Sequence, residues 1–155
     1  MENLVISHVP ELRTPPLVVS FAGWSDAQES ATRAVRHLIR KLPAQKFAEL
    51  NPEDFYDFTQ VRPVTLTNDQ GQRVVRWPAN EFFYWKNEAA ASDLMLFVGI
   101  EPNLKWRTYT NTIAGLAKQC GVQLVISLGA LLDAVPHPRE PLVSGSTNRP
   151  ELRKV

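Results

Sequence analysis

The segment from Pro16 to Leu42 constrains the fold more than any other part of the chain. Leu17 to Ala22 is a short apolar run rich in β-branched and aromatic residues, the pattern of a strand buried on both faces. Gly23 breaks it, and Ser25 or Asp26 can cap a following helix, with Gln28 and Glu29 at the capping-box spacing from each. Ala27, Ala31, Ala34, Val35, Leu38, Ile39 and Leu42 then recur on one helical face. Strand, tight turn and helix make half of a βαβ unit, so an α/β domain is expected.

The same grammar returns further on. Gln45 to Leu50 reads as a strand, and Asn51-Pro52-Glu53-Asp54 as a turn or single helical turn followed by the bulky Phe55, Tyr56 and Phe58. Leu94 to Ile100 is a second buried strand, and Trp106, Tyr109, Ile113, Leu116, Ala117 and Cys120 mark a helical face that Gly121 ends from the C′ position. Val122 to Leu128 is expected to be a third buried strand. Strand, helix, strand over residues 94–129 is a full βαβ unit, whose strands should run parallel with a right-handed connection. Val64–Thr67 and Arg73–Trp77, separated by Asn68-Asp69-Gln70-Gly71, read as a β-hairpin. Phe82-Phe83-Tyr84-Trp85 suits a strand packed into the core, with an exposed face for a partner as the alternative. Residues 1 to 15, with Pro10 and Pro15, read as an edge rather than a central strand. Thr147 to Leu152 looks like the cap and first turn of a further helix, so the chain reads as a single α/β domain forming the N-terminal part of a longer protein.

Bulk composition narrows the function classes. In 155 residues, 44% hydrophobic and 21% charged content is that of an ordinary globular domain, and a net charge of +1 lacks the basic excess of a nucleic-acid binder. Arg33, Arg36 and Arg40, helped by Lys41, form a basic stripe opposite the apolar face of the first helix, as a solvated face would. The single Cys120 excludes an intramolecular disulfide and reads as a small buried hydrophobe. No basic-then-apolar leader opens the chain, and no apolar run approaches the roughly 18 residues of a membrane span, so a cytoplasmic protein without a membrane partner is expected.

Chemistry in an open parallel sheet gathers at the carboxyl ends of its strands. If the three buried strands are neighbours, Ser25, Asp26, Glu101, Asp133 and His137 share one rim. A serine hydrolase would use Ser25 as nucleophile, His137 as base and Asp133 to orient it, but no Gly-x-Ser-x-Gly elbow surrounds Ser25. Asp26 with Glu101 could form an acid–base pair; the plainer expectation is that Asp26 answers the helix dipole while Glu101 binds backbone amides or an arginine. One glycine in the first loop, without Gly-x-Gly-x-x-Gly or Gly-Lys-Ser/Thr, disfavours a dinucleotide or phosphate there. His8, His37 and His137 lack ligand-like spacing, so neither a metal nor a cofactor is expected.

Four blocks resemble the proteasome assembly chaperone 2 family, in its bacterial, actinobacterial-type branch. They are Phe21-Ala22-Gly23-Trp24-Ser25-Asp26-Ala27, the run Phe83-Tyr84-Trp85, Gly99-Ile100-Glu101-Pro102-Asn103-Leu104-Lys105-Trp106-Arg107, and Ser127 to His137. The resemblance implies a three-layer α/β/α fold with a mostly parallel sheet, like that of nucleoside phosphorylases, in chains about twice this length. It implies self-association, as a trimer or larger, and through the eukaryotic and archaeal relatives a link to proteasome subunits. Trp24, Ser25, Asp26, Glu101, Pro102 and Trp106 carry over as signature positions, without a catalytic role. The expected function is a non-enzymatic assembly factor. The alternative is a small-ligand binder or enzyme at the rim, hydrolase-like, nucleosidase-like or an ATP-dependent carboligase as some members have been labelled, though no nucleotide-binding loop supports the last.

Overall fold

The computed structural model describes residues 3–134, 136 and 138–152. Eight strands and two α-helices form in the order β1 (Leu4–Ile6), β2 (Leu17–Ala22), α1 (Ser30–Lys41), β3 (Gln45–Leu50), β4 (Val64–Thr67), β5 (Arg73–Arg76), β6 (Glu81–Trp85), β7 (Leu94–Ile100), α2 (Trp106–Gln119) and β8 (Val125–Leu128). Six strands make one sheet in the order β1-β3-β6-β7-β2-β8. Here β2 runs parallel to both β7 and β8, in register from Leu17↔Met95 to Ala22↔Ile100 and from Leu17↔Val125 to Ser20↔Leu128. The other three pairings, β1 with β3, β3 with β6 and β6 with β7, are antiparallel. The sheet is therefore mixed, and its parallel character belongs to the β7-β2-β8 part that the βαβ pattern described.

Strand alternation divides the core between the two faces. On one, Leu17, Val19, Met95, Phe97 and Phe82 pack with Phe47, Phe55 and the Tyr109, Ile113, Leu116 and Ala117 side of α2. On the other, Val18, Leu96 and Val98 pack with Val35, Leu38 and Ile39 of α1. One helix on each face gives the expected three layers. The first layer is aromatic-rich: Phe82 and Phe97 sit 4.6 Å apart between ring centroids, and Phe55 meets Tyr109 edge-on at 5.2 Å. The run Phe82–Trp85 is indeed strand material, with Phe82 in the core.

Three sequence expectations need correction. Helix α1 starts at Ser30, because Gln28 and Glu29 adopt φ of +54° and +57° and insert a separate turn after Asp26. Ala27 therefore precedes the helix, and Ala34 lies on its exposed side. Strand β8 is not buried: Val125 and Ile126 are exposed, because β8 is the sheet's outer strand and only β2 pairs with it among the described residues. Trp106, the first residue of α2, is half exposed and does not join the apolar face that Tyr109, Ile113, Leu116 and Ala117 bury. The expected hairpin forms, as a separate two-stranded sheet whose eight strand residues are all exposed.

Candidate functional site

The carboxyl ends of β2, β7 and β8 meet at one rim, and its backbone is built by close contacts between the three loops. Gly23 turns the chain at φ +149°, a conformation that disfavours a side chain, and a Cβ there would come within 2.5 Å of the Glu101 carboxylate. That carboxylate straps the turn: Trp24 N–H donates to Oε2 at 3.0 Å and Ser25 Oγ–H to Oε1 at 2.9 Å. Glu101 N–H in turn donates to Ala22 O at 2.9 Å. On the other side, Ala130 N–H donates to Ser25 O at 2.8 Å and Ala27 N–H to Ala130 O at 3.0 Å, so the loop after β8 continues the parallel pairing as an isolated bridge at Asp26.

Asp26 is only 6% exposed and faces inward. Its Oδ1 accepts the backbone N–H of Ala31 at 2.8 Å and of Thr32 at 3.1 Å, and Oδ2 accepts the Thr32 hydroxyl at 2.6 Å. It caps α1 across the inserted turn, at spacings of five and six residues that no capping-box pattern contains. The capping box with Gln28 or Glu29 does not form; Glu29 pairs instead with Arg33 at 3.1 Å. Asp26 and Glu101 are each taken up by the protein's own donors, as the plainer expectation had it for Asp26 at the helix start and Glu101 on backbone amides.

Two members of the expected nucleophile arrangement, Ser25 and Asp133, are placed among the described residues. The Ser25 hydroxyl is donated to Glu101, and Asp133 is exposed and accepts the N–H of its own neighbour Ala134 at 2.7 Å. His137 lies outside the described residues. Among the described residues no group of three or more His, Cys, Asp and Glu could hold a metal ion.

Two other signature positions have distinct roles. Pro102 is buried, and the loop after it is pinned by Asn103 and Leu104 N–H donating to Phe55 O at 2.9 and 3.0 Å. Lys105, at φ +51°, bonds Asp54 at 2.7 Å and hands the chain to α2. Trp106 then projects, half exposed, and Trp24 is 86% exposed at the neighbouring strand end. With Leu104, Leu131 and Leu132, also exposed, the rim carries large apolar side chains on a polar, self-satisfied backbone frame.

One cluster that sequence reasoning missed supports this frame from beneath. Asn80 Oδ1 accepts Ile100 N–H at 3.0 Å and is 2.7 and 2.8 Å from the Tyr56 and Tyr109 hydroxyls, which also lie 2.7 and 3.0 Å from Ile100 O. Each hydroxyl has one proton to place on these two acceptors. Burial pushes both tyrosines above their ordinary value. Asn80 sits in what reads as a linker, 24 and 29 residues from its tyrosines, so only the aromatic content of their segments hints at it. The cluster fixes Ile100, and with it the position of Glu101. Elsewhere, buried Asp93 ties the N-terminal arm to β7, accepting the Arg13 guanidinium at 2.7 Å and the N–H groups of Arg13 and Asn87 at 2.8 and 3.0 Å.

Comparison with known proteins gives a consistent picture. The model of the PAC2 family matches residues 20–155. A PAC2 family protein from Streptomyces avermitilis is 40% identical with a TM-score of 0.81, over 89% of this chain and 59% of that structure. A proteasome-assembly chaperone homologue from Mycobacterium tuberculosis is 35% identical with a TM-score of 0.73, over 80% and 52%. A protein of unknown function from the same organism is 26% identical with a TM-score of 0.85, over 97% and 54%. The chain thus spans a little over half the length of these structures. None of the curated proteins compared with it matches.

Proposed function

Since this chain belongs to the PAC2 family, we propose that it acts without catalysis, as an assembly-chaperone-like protein that docks on a partner through the rim of its sheet. The observation that carries this reading is the division of labour at the rim. Both carboxylates with catalytic potential, Asp26 and Glu101, are used to hold the chain's own loops, while Trp24, Trp106, Leu131 and Leu132 stand in solvent beside them. Exposed tryptophan is typical of interface hot spots, and apolar patches rimmed by polar residues mark partner sites. The kinship with a proteasome-assembly chaperone homologue supports proteasome subunits as the partner class, and a homo-oligomeric working form is part of the proposal. Among the described residues no helix is long and apolar enough to cross a membrane, and a cytoplasmic location is part of the proposal.

The test is affinity capture of the tagged full-length protein from its own lysate, with light scattering on the purified material. Proteasome subunits in defined proportion, lost when Trp24→Ala and Leu131→Ser are combined, would support the reading. Recovery of the protein with no partner, as a clean homo-oligomer alone, would overturn the docking reading.

A further inference from the structure

A second surface, reaching from the hairpin base to the carboxyl end of β7, gathers positive charge. Where the base of the hairpin meets α1 and β6, a cleft of about 420 Å³ is lined by Arg36 from α1, Arg62 from the turn before β4 and Arg76 from β5, with Trp77 and Ile100 in its apolar wall. Among the described residues Glu81 is the one carboxylate lining it, and Lys46 already bonds that carboxylate at 2.7 Å. The guanidinium groups of Arg36 and Arg76 make no hydrogen bond or ion pair among the described residues. Arg62 has a single weak bond of 3.3 Å, to the carbonyl of Thr59 in its own turn.

Three arginines from three separate segments line one concavity, and the carboxylate lining it among the described residues, Glu81, is already paired with Lys46. Gathered like charges repel, and low-dielectric walls focus their field on whatever enters. Planar guanidinium forks match phosphate oxygens two at a time, and a multivalent oxyanion relieves the repulsion of all three together. The volume lies in the range of sites for small ligands, roughly 300–1,000 Å³. The half-exposed indole of Trp77, braced edge-on by Phe58 at 5.1 Å, offers an apolar surface beside the charges. We propose that this cleft binds a small phosphorylated ligand through Arg36, Arg62 and Arg76. The site does not depend on the rim being a docking surface.

Calorimetric titration of the full chain with inorganic pyrophosphate, at matched ionic strength, tests it. Saturable binding at one site per chain is expected. Combining Arg36→Gln with Arg76→Gln should weaken it by roughly tenfold or more for each arginine. Arg33→Gln with Arg40→Gln, on the same helix but outside the cleft lining, should leave it within about twofold. All four side chains are exposed, so melting temperature should be unchanged and serves as the control for folding. Absence of saturable binding, or equal loss in the two double variants, would overturn the proposal, the latter by showing diffuse attraction to the basic stripe.

Discussion

Replacing Asp26 separates a structural carboxylate from a chemical one. In Asp26→Ala, three donors lose their acceptor: the N–H groups of Ala31 and Thr32 and the Thr32 hydroxyl, on residues only 4% and 1% exposed. Loss of a helix cap costs about 1 kcal/mol, and buried donors left unpaired add about 1–3 kcal/mol. The Thr32 hydroxyl can fall back on Glu29 O, 3.3 Å away, which places the total near 3 kcal/mol. For a domain of this size, about 2–4 °C is lost per kcal/mol, so the melting temperature should fall by roughly 6–12 °C. Asp26→Asn keeps an Oδ1 acceptor for both N–H groups and loses only the charge-assisted part, about 1 kcal/mol. Thermal and urea unfolding followed by circular dichroism measure both. A silent Asp26→Ala would refute the cap. Equal losses in the two variants would show that the negative charge itself is needed, and would reopen the acid–base pairing with Glu101.

Three further outcomes are expected. The Arg13 guanidinium and the N–H groups around it hold Asp93 well below the usual carboxylate range despite partial desolvation. Stability from this group is therefore full above the unfolded value of about 4 and declines as pH falls below it. Asp93→Asn should flatten the acid limb of melting temperature against pH, and parallel curves would refute the linkage. Burial raises Tyr56 and Tyr109, so their contribution is complete below about pH 10 and is lost as pH rises beyond it. In a tyrosinate absorbance titration, their signal should appear together with loss of helical ellipticity; ionisation of the folded protein would contradict the cluster. Burial also pushes the Cys120 thiol up, so an aromatic disulfide reagent should label it slowly in the native protein and stoichiometrically after unfolding. Rapid native labelling would show that Cys120 is not packed under α2.

Much of the fold could be read from the chain because it is written at short range. The bounds of β3 match the expected Gln45–Leu50, β2 and β7 fall on the two apolar runs, and α2 ends before Gly121 at φ +76°. Period-2 and period-3.6 patterns report which side of an element is apolar, and turn residues report where it stops. The order of the blocks around Trp24, Glu101 and Trp106 likewise pointed to the family whose model matches the chain.

Tertiary structure decided what lies beyond that range. An apolar pattern says that a face can be buried, not that anything covers it: Val125, Ile126 and Trp106 carry the pattern and stand exposed at the end and edge of the packed layers. The two left-handed residues at Gln28 and Glu29 moved the start of α1 and turned Asp26 from a neighbouring cap into a buried acceptor for Ala31 and Thr32. Asn80 with its two tyrosines, and the three arginines of the cleft, were unreadable for one shared reason. A hydrogen bond needs about 3 Å between atoms, and whether residues tens of positions apart reach that distance depends on strand order and register, which no local pattern encodes.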